Sequence, residues 1–550
     1  MAQRKNRLGL RGAVAAMSVA ALTAGCFGGT SGEAGKEFQK QSKDSGTPQP
    51  GGTYRMIFRS DAPSLDPLAQ SISTTSIVVG FVYSKLVDFK SGPDIPYGTP
   101  EYEGDLAKSW DVSEDGKTYT FHLRKGVTFQ DKPPVNGREF TSADVACTIN
   151  AIQERGHQKA DVSAVDKVET PDPYTVVFKL SELNPDFVPQ LAGHFLYMLP
   201  CEGTKGEFDL AKQAIGTGPF QLDKWVPDKE IIYNKNPKYY EAGKPYLDAV
   251  HVAIVPDTAA ATAALRTKTT DYVSTITDKA AVTQLLKSNP DINVFNELSS
   301  VPLMVYMNQE VKPFDDIRVR KAVAYAIDRK SMMKAIRPGG QIMGPTPSKL
   351  SGALTPEEAV DLQPYDPAKA KALLKEAGYP NGFSTKVLTT NGYSDHVVRE
   401  AQWVQEDLAK VGIKAEIDMQ DYATYFTKSY PTKAYEMGVG LQTPWLTVDD
   451  YLTSMWHSKG TRNWYNINDP KLDTMIDKQR SILDPAKRKA DLEDIQRYIM
   501  TDVANPYMMY VYESLVLTAS YVHDSWPAPE YGSRHMRNVW LGPEAPGRKN

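Results

Sequence analysis

The clearest hydrophobic pattern in the chain runs from Leu303 to Arg329. Leu303-Met304-Val305-Tyr306-Met307 is an apolar run of strand length, and Lys312-Pro313-Phe314 ends it, because proline has no N–H to continue a ladder. Asp315 and Asp316 then offer an N-cap and negative charge at a helix start. Val319, Ala322, Val323, Ala326 and Ile327 recur at i, i+3, i+4, i+7 and i+8, while Arg318, Lys321 and Asp328 fall on other faces. The pattern predicts a buried strand feeding an amphipathic helix.

Similar units lie on both sides. Gly51-Gly52 precedes a strand at Thr53 to Phe58, and Ser76 to Leu86 reads as a helix. After the turn Glu114-Asp115-Gly116-Lys117, Tyr119, Phe121 and Leu123 alternate with Thr118, Thr120, His122 and Arg124, as in a half-buried antiparallel strand. A second hairpin, Val165 to Val168 and Tyr174 to Leu180, closes around Pro171-Asp172-Pro173. Val250 to Val255, a helix over Thr258 to Arg266, and Asp271-Tyr272-Val273 follow. Asp366-Pro367 caps a helix with a stripe of Ala370, Leu373, Leu374 and Ala377, terminated by Gly378. Strand Ser384 to Leu388, a helix through Val397, Ala401, Val404, Leu408 and Val411, and a strand through Ile413, Ala415 and Ile417 form a βαβ-like unit with a parallel pair. Asp484-Pro485 caps the last long helix, which carries Leu492, Ile495 and Ile499, and Tyr507 to Leu517 is a final strand. Interleaved strands and helices predict an α/β protein.

With 550 residues, the chain exceeds what one core supports, and 41% hydrophobic with 24% charged residues is a globular composition. The net charge is −4; without Arg4, Lys5, Arg7 and Arg11 it becomes −4 − 4 = −8, which argues against nucleic acid as a partner. Those four basic residues precede an apolar run from Ala13 to Ala24, the build of a secretory leader. Phe27 to Gly52 has the composition of a flexible tether. Its Gly28 to Lys36 stretch fails as a phosphate loop, since the first glycine is off by one, Glu37 replaces the hydroxyl residue and no strand precedes it. Cys147 and Cys201 are either bridged or two buried thiols. Eight histidines without metal-ligand spacing, and no GxSxG elbow, give no catalytic or metal pattern, so neither an enzyme nor a cofactor is expected.

The string PFDDIRVRKAVAYAIDR resembles the mid-chain signature of the family 5 extracellular solute-binding proteins, the peptide and nickel receptors of ABC importers. Resemblance extends over about Gly51 to Leu541: the GGTY opening and Ser64-Leu65-Asp66-Pro67, the run Leu106 to Phe129, Ile215-Gly216-Thr217-Gly218-Pro219-Phe220, and DPAKAKALLKEAGYPNG. Leu22-Thr23-Ala24-Gly25-Cys26 resembles a bacterial lipobox, which implies Cys26 as the lipidated new N-terminus. The resemblance implies a two-lobe, type II periplasmic-binding-protein-like α/β clamshell with an extra subdomain in the first lobe. Its expected divisions are residues 1–25 as leader, 26–50 as tether, 51–92 plus 205–300 plus 512–550 as first lobe, 93–204 as inserted subdomain and 301–511 as second lobe. It also implies a monomer, anchored outside the cytoplasm by lipid, that captures oligopeptides or peptide-like solutes for an ABC permease and ATPase. A nickel chelate, sugar or siderophore-like cargo, or a sensor or chaperone role, are the alternatives. The GTGPF loop reads as structural or hinge-like.

Peptide-binding relatives place an amine-binding aspartate in the segment matching Tyr435 to Leu452; here that position falls on Pro444 and the neighbouring family tryptophan on Leu441. Proline makes no ion pair, so Asp449, Asp450 or Glu436 would have to substitute, or the solute lacks a free amine. Trp445 and Gln442 are candidate wall residues of this segment. Tyr393 and His396 occupy a loop where relatives carry a ligand-facing histidine, although His396 equally suits an exposed helix start. Arg462, Asn463 and Trp464 match a loop beside the cleft, where Arg462 would take a carboxylate and Trp464 would stack, or Arg462 would be a rim charge. Tyr83 and Asn308 complete the candidates.

Overall fold

The computed structural model describes residues 46–548 apart from 70–71, 96–100, 275–278, 443, 446, 483 and 527–532, so Cys26, the leader and the tether before residue 46 lie outside the described residues. An 11-stranded sheet runs in the order Lys414–Gln420, Ser384–Thr390, Met437–Leu441, Asn293–Met307, Tyr507–Thr518, Tyr272–Val273, Thr53–Phe58, Ala249–Ile254, Glu230–Lys235 and Phe220–Val226, with Gln341–Ile342 attached to Tyr507–Thr518. Its two long central strands are shared by both halves of the molecule. Near Tyr272–Val273 they pair as Asn293 to Leu298 with Glu513 to Thr518, and near Met437–Leu441 as Pro302 to Val305 with Tyr507 to Val511. Register slips between Leu298 and Pro302, a short irregular stretch between the two sets of pairings. This is the two-lobe clamshell.

The apolar run at Leu303 to Met307 is buried throughout because each of its faces meets a different core. Leu303, Val305 and Met307 join Val319, Ala322, Val323 and Ala326, whereas Met304 and Tyr306 enter the cluster of Tyr425, Tyr430 and Tyr465. Asp316 caps the helix Ile317–Ala326, its carboxylate accepting from the Arg318 N–H at 2.8 Å. Ile327 is already extended, and Asp328 caps the next helix, Arg329–Ile336. Strands Ser384–Thr390 and Lys414–Gln420 pair in parallel around helix Asp395–Ala409, as the βαβ pattern requires.

In the first lobe a separate antiparallel sheet orders Ala107–Val112, Thr118–Leu123, Thr175–Leu180 and Val165–Asp172. Helix Ser142–Arg155 packs beside it, and a disulfide joins Cys147 to Cys201 with a Cα–Cα distance of 5.4 Å, which resolves the open question of the two thiols. The chain end returns to this lobe. Arg534 meets Glu103 at 2.7 Å, Asp105 at 2.9 Å and Glu241 at 2.9 Å, and Arg537 shares Glu103 at 2.7 Å.

One predicted element is shorter than expected. The helix read over Ser76 to Leu86 spans Ser73–Val79, because the next carbonyls serve tertiary pairing: Phe81 O accepts from Phe220 N at 3.0 Å and Val82 O from Gly218 N at 2.8 Å. A Cβ at Gly216 or Gly218 would collide with the Val82 carbonyl, so the GTGPF glycines serve this close approach.

Candidate functional site

The second-lobe wall is built on strand Met437–Leu441. Gly438 and Gly440 leave room for phenols lying flat against the sheet: a Cβ at Gly440 would meet the Tyr425 hydroxyl at 2.6 Å. Over this floor the hydroxyls pair, Tyr306 with Tyr425 at 2.8 Å and Tyr430 with Tyr465 at 2.7 Å, while Tyr393 donates to the Leu441 carbonyl at 3.1 Å. Burial pushes the Tyr306, Tyr393 and Tyr430 hydroxyls well above the usual phenol range, so they remain neutral hydrogen-bonding groups.

On this floor stand Arg462 and two indoles. The Arg462 guanidinium lies 5.5 Å from the Trp445 ring and 5.1 Å from the Trp464 ring, and the residue is only 6% exposed. The planar guanidinium makes cation–π contacts with both rings, which help hold it in place. Trp464 packs edge-on against Tyr430 at 4.6 Å, and Trp445 against Tyr451 at 4.9 Å. Gln442 accepts from Tyr430 at 3.4 Å through Oε1, while its Nε2 is buried with no hydrogen-bond acceptor among the described residues. A guanidinium, a spare amide donor and aromatic faces suit an anionic or amide-bearing solute.

The first lobe reaches this wall through the segment Glu182 to His194. Asp186 pairs with Arg488 at 2.5 Å, Gln190 Nε2 donates to Asp450 at 2.9 Å, and His194 Nε2 lies 2.8 Å from the Pro444 carbonyl. Glu182 adds a looser contact to Arg480 at 3.4 Å. Behind the segment sits Asp161, whose carboxyl is pushed up to about 6 by burial, against the fields of Arg462, His194 and Arg480. Burial and the neighbouring Asp186, Asp161 and Asp449 likewise raise Asp450 well above the carboxylate range. Beside Asp186 a cavity of about 370 Å³ opens between the lobes, with Pro189 on one side and Lys349, Thr447 and Arg488 on the other.

Of the residues singled out in the sequence, Tyr393, Gln442, Trp445, Arg462 and Trp464 come together on this wall. Asn308 and Asn463 are engaged elsewhere. Asn308 donates to the Lys433 and Tyr435 carbonyls at 3.0 and 3.3 Å and accepts from Asn466 at 2.8 Å. Asn463 donates to Ser458 and Ile467 carbonyls at 3.2 and 2.7 Å and accepts from the Ile467 N–H at 2.9 Å, fastening its own loop. Tyr83 is buried in the first lobe, its ring centre 6.3 Å from that of Tyr197. His396 is half-buried at the start of helix Asp395–Ala409, where Asp395 approaches Arg59 of the first lobe at 3.7 Å. The three carboxylates considered for an amine are also placed. Asp449 pairs with Arg480 at 3.2 Å, Asp450 accepts from Gln190, and Glu436 accepts from Thr385 at 2.7 Å at the outer end of its strand. Among the described residues no group of three or more His, Cys, Asp or Glu could hold a metal, and no helix is long and apolar enough to cross a membrane.

The residues from Glu182 to His194 escaped sequence reading. A signal was present: Asp186, Gln190 and His194 recur every four residues in a segment whose Phe187 and Leu191 are apolar.

The sequence profile of the bacterial extracellular solute-binding proteins, family 5 Middle, matches residues 101–464. The chain belongs to this family. The dipeptide-binding protein of Escherichia coli (strain K12) is 32% identical over 376 residues, covering 63% of this chain and 68% of that protein. Among solved structures, DppA, the ABC transporter-associated periplasmic binding protein from Helicobacter pylori, in complex with peptide STSA, superposes with a TM-score of 0.80 at 28% identity, covering 90% of this chain and 98% of that one. The binding protein AgaA in complex with agropinic acid, from A. tumefacien R10, gives 0.78 at 26% identity over 89% of this chain and 99% of that one. This family 5 protein is thus a solute-binding component of an ABC importer, and its fold is that of the type II clamshells.

Proposed function

We propose that this family 5 protein captures short peptides or peptide-like solutes between its lobes and hands them to an ABC permease and its ATPase, binding without chemical conversion. The observation that carries the reading is Arg462, buried between two indoles over a tyrosine floor, on the lobe that faces the Glu182 to His194 segment. In this reading Tyr393, Gln442, Trp445, Arg462 and Trp464 touch the solute, Arg462 taking a carboxylate. Tyr83 and His396 belong to the cleft's margins, and Asn308 and Asn463 hold the loops that shape it. The protein acts as a monomer, tethered outside the cytoplasm through lipidated Cys26, and its lobes divide at the boundaries expected from the sequence.

Native mass spectrometry of the purified protein with its co-purified solute tests the reading. Masses of short peptides or peptide derivatives are the expected result, and a protein that carries none and takes up none from a mixed di- to pentapeptide library would overturn it. A second reading, a peptide-like acid without a free amine, is favoured by Pro444 and by the occupied Asp449, Asp450 and Glu436. N-acetylation of a bound peptide then weakens binding little. A loss of about 2 kcal/mol or more would assign the amine to another carboxylate.

A further inference from the structure

We propose that the Glu182 to His194 segment is a latch: Asp186, Gln190 and His194 hold the cleft closed by protein–protein contacts, so that they, together with contacts to the solute, set its rate of release. The inference rests on the capture reading above but concerns closure itself. Phe187 and Leu191 are fully buried in the first-lobe core, which fixes the short helix Phe187–Leu191 and turns its polar neighbours, spaced by four, toward the second lobe. Two of the three contacts are held ready by neighbouring hydrogen bonds. Gln190 Oε1 accepts from Asn184 at 2.7 Å, which orients the amide so that Nε2 meets Asp450. Arg488 Nε donates to Gln479 at 3.0 Å, leaving its two terminal nitrogens for Asp186 at 2.5 and 3.3 Å. The Asp450 N–H is held by Thr447 Oγ1 at 3.1 Å. Asp186, Gln190, His194 and Asp450 are all less than one-tenth exposed, so opening the cleft rehydrates the whole row at once. The Asp186–Arg488 pair, charge-assisted and largely buried, is stronger than an exposed surface pair.

A charge swap in the mature chain tests the latch. Asp186→Arg and Arg488→Asp alone should each shorten retention of members of a mixed di- to pentapeptide library, followed by native mass spectrometry, by about tenfold. They should also enlarge the radius of gyration of the solute-free protein in X-ray scattering. The double swap should restore both, with retention within about threefold of the original. Gln190→Leu, which keeps the volume and cannot misfold through reversed charge, should shorten retention by about threefold. Single variants that retain solute as the original does, or a double swap no better than its worse parent, would overturn the latch. If the original protein takes up no library member, the capture reading fails, and scattering of the single and double variants alone decides the latch.

Discussion

Asp161 is the residue whose surroundings make the sharpest statement about pH. Its carboxyl is pushed up to about 6 by burial, above the value of about 3.9 that an unfolded chain would show. A group shifted this way adds stability that is complete below about pH 4 and disappears as pH rises through 6. Asp161→Asn, neutral throughout, should therefore raise the melting temperature by a few degrees at pH 8 and leave it unchanged at pH 4, as differential scanning fluorimetry would read. Arg462→Lys keeps the charge but loses the planar stack between Trp445 and Trp464. It should weaken a free-acid peptide about tenfold by calorimetry and a C-terminally amidated one much less. Gly216→Ala drives a methyl into the Val82 carbonyl and should cost about 2–3 kcal/mol in urea unfolding.

Among the elements, those with regular periodicity were the legible ones. The helix Ile317–Ala326, the parallel pair around helix Asp395–Ala409 and the strand Thr118–Leu123 follow from apolar spacing and capping residues, because those signals are local. Ser73–Val79 stops early for a reason lying far downstream in the chain, where the Gly218 and Phe220 N–H groups claim the carbonyls of Val82 and Phe81, just beyond its end. Likewise the strand read at Leu303 to Met307 extends back to Asn293, because the sheet absorbs the stretch between Leu298 and Pro302 with a slip in register. The Cys147–Cys201 bridge fastens helix Ser142–Arg155 to the segment beginning at Cys201 across a sequence separation of 54. Replacing both cysteines by serine should destabilise the inserted sheet and its helix by about 4 kcal/mol on the loop-entropy account, measured by chemical unfolding.

At the scale of the whole molecule, two shared strands join the lobes and the chain end returns to where it began. Arg534 is 5% exposed and surrounded by Glu103, Asp105 and Glu241. Arg534→Met would leave these carboxylates facing one another with Arg537 as their remaining guanidinium, and should cost about 3 kcal/mol or more. A denaturation midpoint equal to that of the original chain would contradict the role of this network in holding the Arg534–Asn538 turn to the first lobe.

The local signals in the sequence determined most of the elements, and the ordered motifs determined the family, since capping residues, glycine turns and apolar spacing act over a few residues. Sequence reading named Trp445 and the pair Arg462 and Trp464 as separate candidates; their loops lie on either side of the helical stretch Val448 to Trp456. Only the tertiary structure decided that Arg462 lies between the two indoles and that Asn308 and Asn463 spend their hydrogen bonds on the protein. It also decided that Asp186, Gln190 and His194 reach across to Arg488, Asp450 and Pro444. Those partners are more than 240 residues apart in sequence, and their meeting depends on how two separately folded halves close, a geometry that no local pattern encodes.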